Sequence, residues 1–163
     1  MTDAQRQQAM ETAARQVKII SIAGTPVGIL AAIFIVASVL LFIGNIILGG
    51  TSGFLKMVNA YAWTMMIVIP AAIVTMLLIK AKGTADVSLG LSILTTPDTN
   101  AFVKSLLSSI EIFGLWQVWL SALAVSVLAS VDTKKAFWSV AAAWLVWVLI
   151  KAGLATLGST FSA

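Results

Sequence analysis

Between Lys18 and Lys56 the chain runs for 37 residues without a charged side chain. The densest part of that run, Ile19 to Leu48, is about 45 Å long as a helix at 1.5 Å per residue, and a bilayer's hydrocarbon core is only about 30 Å thick. Three more uncharged runs follow: Met57 to Ile79, closed by Lys80 and Lys82; Ile112 to Val131, held between Glu111 and Asp132; and Ala136 to Ile150. The last reaches Leu157 if Lys151 extends its ammonium to the headgroups. With 60% of residues apolar and 10% charged, too little polar surface remains to cover a water-soluble core. The expected fold is therefore all-α: a polytopic transmembrane helical bundle with four spans, at about 19–48, 57–79, 112–131 and 136–157, in a membrane domain covering 19–158.

The remaining segments are short. Residues 1–18 are polar and rich in helix formers, with Thr2 or Asp3 as N-cap, and read as a surface helix feeding the first span. They are not a signal peptide, because the run behind Lys18 far exceeds a secretory apolar region. Residues 83–110 read as a loop with an interfacial helix: Thr96, Pro97 and Asp98 offer helix-start chemistry, and Phe102, Leu106, Ser109 and Phe113 fall on one stripe. Residues 98–110 then either lie in the interface or extend the third span. Gly24, Pro26 and Gly28 predict a break near the start of the first span, and Pro70 predicts a kink in the second. The net charge of +4 sits at span ends rather than on one basic face, which fits membrane anchoring and not nucleic acid. Counting Lys and Arg by side gives Arg6, Arg15, Lys18, Lys80, Lys82, Lys104 and Lys151 against Lys56, Lys134 and Lys135, placing both termini in the cytoplasm.

Little catalytic chemistry is on offer. The chain has no Cys and no His, which removes thiolate zinc sites, His-ligated haem and Ser-His or Cys-His nucleophiles. No two carboxylates share a helical face within a span, and Asp86, Asp98 and Asp132 read as loop or capping residues. No metal or cofactor is expected. Glu111, at the entrance to the third span, and Gln117 behind it are the candidate functional polar residues; the plainer reading makes Glu111 an interfacial, dipole-favoured acid. By that plainer reading Gln117, Asn45 and Asn59 are interhelical hydrogen-bond glue. Gly24, Gly28 and Ala32 form a small-residue ladder on the first span, and Ala122, Ser126 and Ser130 another on the third, both expected to serve helix packing. Trp63, Trp116 and Trp138, with Lys134 and Lys135, are expected as interface anchors, while Trp144 and Trp147 lie deeper. The Gly49-Gly50-Thr51-Ser52-Gly53 stretch lacks the ending of a phosphate-binding loop and is a turn.

In order along the chain, several features resemble the Yip domain family of Ypt/Rab-interacting membrane proteins, in its bacterial branch. They are Leu48-Gly49-Gly50 with Phe54 and Lys56, then Ala60-Tyr61-Ala62 with Pro70. Leu107-Ser108-Ser109-Ile110-Glu111-Ile112-Phe113-Gly114-Leu115-Trp116 and Lys134-Lys135-Ala136 complete the set. The likeness covers roughly residues 15–158 and implies residence in a bacterial inner membrane. Family members usually have five spans, so the resemblance implies that the first is missing here, by shortening, by processing, or because another polypeptide supplies it. The orientation it implies puts Lys134 and Lys135 inside, opposite to the charge count.

The leading expectation is a non-enzymatic scaffold or accessory subunit of a membrane protein complex, with the lipid bilayer and other membrane subunits, or itself, as partners. One alternative is a small transporter or channel component built on Glu111, Gln117 and the Pro70 kink. Another is a lipid-binding or membrane-shaping protein that uses residues 83–110.

Overall fold

A computed structural model describes residues 24–84, 87–96 and 99–161, with side chains described through Leu157. The expected polar helix at 1–18, and Pro97 and Asp98 of the expected helix start, lie outside the described residues. Four helices are long and apolar enough to cross a membrane, and no strand occurs among the described residues.

The first span, α1 (Gly24–Ile47), runs unbroken through Pro26 and Gly28. Its irregularity lies at the opposite end from the expected break, where Ile43–Ile47 form a π-helical turn. Gly44 occupies that turn, and a Cβ there would stand 3.0 Å from the Ala129 Cβ, so this is where the helix is pressed against its neighbour. The reversal that follows uses Gly49 at φ +72°. Asn45 clamps it, donating from Nδ2 to the Ser52 carbonyl (2.9 Å) and accepting the Ser52 N–H at Oδ1 (2.8 Å). Asn45 therefore holds a turn, not a neighbouring helix as the sequence suggested.

The second span is a 29-residue stretch, Phe54–Lys82, built from α2 (Phe54–Thr64), a 3₁₀ turn (Met65–Ile67) and α3 (Val68–Lys82). Pro70 lacks the N–H that an uninterrupted α-helix would direct at the Met66 carbonyl, and the tighter turn sits at that point. Gly83, at φ 68°, caps α3 and donates its N–H to the Ile79 carbonyl. Lys80 and Lys82 stand in the last turn, where cations suit the helix dipole.

A lobe joins the second and third spans. It holds a 3₁₀ turn (Leu91–Leu94) and α4 (Ala101–Ser109). The N-cap of α4 is Asn100, whose Oδ1 accepts the Phe102 N–H at 2.8 Å, whereas Thr96 is tied back to Thr99. The helix thus starts later than Thr96-Pro97-Asp98 suggested. Nor does it extend the third span: Ile110 and Glu111 leave helical geometry, and Glu111 pairs with Gly90 in an isolated antiparallel bridge that includes Leu91 N–H to the Ile110 carbonyl. α4 lies against the last helix.

The third span, α5 (Ile112–Ala129), ends in Ser130 at φ 55°. Ser130 is exposed, so it is a left-handed cap and not the third rung of the packing ladder. Asp132 then starts α6 (Thr133–Phe161), its Oδ1 accepting the Lys135 N–H and its carbonyl the Ala136 N–H, both at 2.9 Å.

The core gathers near the two turns. Ala37, Leu40 and Ile43 of α1, Met57 of α2, Val118, Ala122 and Val125 of α5, and Ala136 and Val140 of α6 form one buried cluster. Away from it, no residue of α3 is buried, and nearly all of α1 up to Ile35 is exposed. Large apolar side chains stand open on every span, among them Leu55 (75%), Met76 (71%) and Val127 (74%). Water would not tolerate so much exposed hydrocarbon; lipid does.

Candidate functional site

Among the described residues, two places bring together polar groups from different spans or turns. The first lies where α2 meets α5. Gln117 donates from Nε2 to the Tyr61 hydroxyl over a long 3.4 Å. Beside it Thr64 Oγ1 donates to the Tyr61 carbonyl (2.7 Å) and Ser121 Oγ to the Gln117 carbonyl (2.8 Å). Thr64 and Ser121 are both buried. Each hydroxyl is satisfied within its own helix, so only Gln117–Tyr61 crosses between helices. The arrangement joins two spans at low energy.

Glu111 is the residue preceding α5, and its carboxylate makes no capping hydrogen bond. The side chain lies over Gly114, where a Cβ would meet Glu111 Cγ at 3.2 Å. Its backbone belongs to the bridge with Gly90, so it marks the junction of lobe and span.

The second place is the concavity between the two turns. Leu48–Thr51 on one side and Ala129–Asp132 with Lys135 on the other line an open concavity of about 360 Å³. Backbone contacts fix its walls: Gly50 N–H donates to the Gly44 carbonyl (2.9 Å) and Thr51 N–H to the Ala129 carbonyl (3.4 Å).

The two small-residue ladders have different fates. Ala122 and Ser126 are buried, and Ser126 Oγ holds the following turn through the Val131 carbonyl (2.9 Å) and Thr133 Oγ1 (2.8 Å). Gly24, Gly28 and Ala32 are exposed, and nothing lies within 4 Å of a Cβ built on Gly28. The reason is geometric: α1 joins the buried cluster through Ala37, Leu40 and Ile43, beyond that stripe. Trp116 (50% exposed) and Trp138 (68%) lie early in α5 and α6, and Lys134 and Lys135 are exposed at the head of α6. Trp63, 70% exposed, sits about 14 Å along the second span at 1.5 Å per residue. Sequence reasoning missed Tyr61 as the partner of Gln117, although a lone Tyr inside a span is itself a signal. It also missed the pairing of the two turns, which no local pattern announces. Among the described residues no group of His, Cys, Asp and Glu could hold a metal ion.

No curated protein and no solved structure matches the chain. The family model described as the Yip1 domain matches residues 3–155, a stretch that takes in α1 to α5, both turns and most of α6. Four apolar spans and a match over nearly the whole chain place this protein in the Yip1 domain family of integral membrane proteins.

Proposed function

We propose that this Yip1-family chain is a non-enzymatic scaffold or accessory subunit of a membrane protein complex, resident in a bacterial inner membrane. The observation that carries the reading is α3. Its 15 residues include no buried side chain. The exposed stripe Gly24, Gly28 and Ala32 on α1 adds a second unfilled helix face. Small residues on one helix and an unpacked neighbour give another subunit's helix, or a second copy of this chain, a place to pack by close backbone approach.

Photo-crosslinking in native membranes tests this. A benzophenone amino acid at Met76 or Leu77 on α3, and separately at Leu55 on α2, is activated and the adducts are identified by mass spectrometry. Discrete protein adducts from α3 that are absent from Leu55 support a subunit role. Lipid adducts alone at all three positions, together with a chain that purifies without companions in mild detergent, would sink it.

A further inference from the structure

The concavity at the turns lies away from α3, and its chemistry is independent of the subunit reading. We propose that it binds the headgroup of a zwitterionic phospholipid carrying both a phosphate and a primary ammonium group, of the phosphoethanolamine class. It is an open concavity of about 360 Å³, above the lower bound of roughly 300 Å³ for small-ligand sites, and Asp132 and Lys135 are exposed at it. Two charged side chains line it, Asp132 and Lys135, and they form no ion pair with each other within 4.0 Å. Asp132 instead uses Oδ1 to hold the Lys135 backbone N–H, which leaves its other oxygen and the Lys135 ammonium without a mutual partner.

That combination selects among headgroups. A purely anionic headgroup meets Lys135 but also the like charge of Asp132. A simple cation meets Asp132 but also Lys135. A zwitterion satisfies both, with phosphate oxygens on the Lys135 ammonium and the ligand's ammonium on the Asp132 carboxylate. A quaternary ammonium has no N–H to donate and gains less.

Contacts within the chain itself fix the walls. Gly50 is in contact with Ala129, Asn45 clamps Ser52, and Ser130 holds its left-handed cap. Binding therefore orders little new backbone. The site also lies where a lipid can reach it, at the ends of α1 and α5. Exposed Val127 and Trp138 on the adjoining spans offer a surface for acyl chains.

The test is native mass spectrometry of the full chain, delipidated in mild detergent and titrated with dioleoyl phosphatidylethanolamine, phosphatidylglycerol or phosphatidylcholine. The expected result is preferential retention of phosphatidylethanolamine. Lys135→Gln should weaken it by about tenfold, the equivalent of ~1.4 kcal/mol, near the lower end for a hydrogen bond to a charged group. Asp132→Asn keeps the helix cap, because Asn caps as well as Asp, yet should lower retention of phosphatidylethanolamine while raising that of phosphatidylglycerol. Lys56→Gln, near the same end but outside the concavity, should change nothing. Displacement by millimolar soluble phosphoethanolamine would keep the recognition chemistry and assign the site to the free headgroup; resistance assigns it to the lipid. Equal retention of all three lipids, or variants that bind like the parent chain, would overturn the proposal.

Discussion

The half of the molecule next to the two turns and the half that contains α3 are made of equally apolar sequence but are packed very differently. Near the turns, Ala37, Met57, Ala122, Val125 and Ala136 are essentially without exposed surface. In α3, Ile73, Met76 and Leu77 stand open by 54%, 71% and 61%. In water that contrast would mark a folded and an unfolded half. In lipid it does not, because a membrane is as apolar as a protein core and hydrophobicity no longer sorts inside from outside. What sorts them is shape. The buried set is rich in Ala with Val and Ser, takes in only a few large side chains such as Leu40, Ile43 and Met57, and lies beside the close approaches at Gly44 and Gly50, whereas most of the large side chains are exposed.

The sharpest way to break the comparison is to add one methyl group to each half. A Cβ on Gly50 would stand 2.3 Å from the Ala129 carbonyl oxygen and 2.7 Å from its Cβ. Gly50→Ala must then push two turns apart, at about 3 kcal/mol, the upper part of the range for overpacking. Gly28→Ala meets open space and should stay within about 0.5 kcal/mol of the parent. Unfolding in mixed micelles reads both. Equal costs would show that the halves are packed alike. The second largest contrast removes side chains. Met57→Ala hollows the cluster at about 2 kcal/mol by the ~24 cal/mol per Å³ cavity relation. Leu77→Ala leaves lipid to fill the space and should cost close to nothing.

How much of this is legible in the sequence follows from the same contrast. Charged residues fence the spans, so Lys56, Lys80, Glu111, Asp132 and Lys134 make four helices readable from the order of residues alone. Which faces touch is not readable, because two ladders of small residues look alike in sequence while only the Ala122–Ser126 one meets a neighbour. Gln117 is visible as a polar group in a span, but Tyr61, its partner, comes from another helix. The concavity at the turns joins Gly50 to Asp132 and Lys135, residues far apart in the chain, and only the tertiary fold makes that meeting.

A smaller effect separates the turns themselves. Asn45→Ala removes both hydrogen bonds to Ser52 and should cost about 1 kcal/mol in all, about 0.5 for each bond, the low end of the net range when water can replace it. Asn59→Ala, exposed on α2, is the matched control and should be neutral. A cost at Asn59 as large as at Asn45 would mean that the turn clamp contributes nothing of its own.

The smallest expected change in stability comes from Pro70→Ala, and it bears most directly on why α3 is left unpacked. Alanine restores an N–H for the Met66 carbonyl and removes a ring that disfavours helix. In water that change is worth about 3 kcal/mol. In a membrane the separated helices stay helical, so a gain intrinsic to one helix is present before and after bundle assembly and cancels. Only packing between helices counts, and α3 has no buried residue to gain or lose. The unfolding midpoint should therefore move by less than the equivalent of about 0.5 kcal/mol. Amide exchange across residues 65–70 should slow clearly as the 3₁₀ turn is replaced by α-helix. A large rise in bundle stability would mean instead that straightening the second span carries α3 onto its neighbours, and that Pro70 is what holds that half of the molecule open.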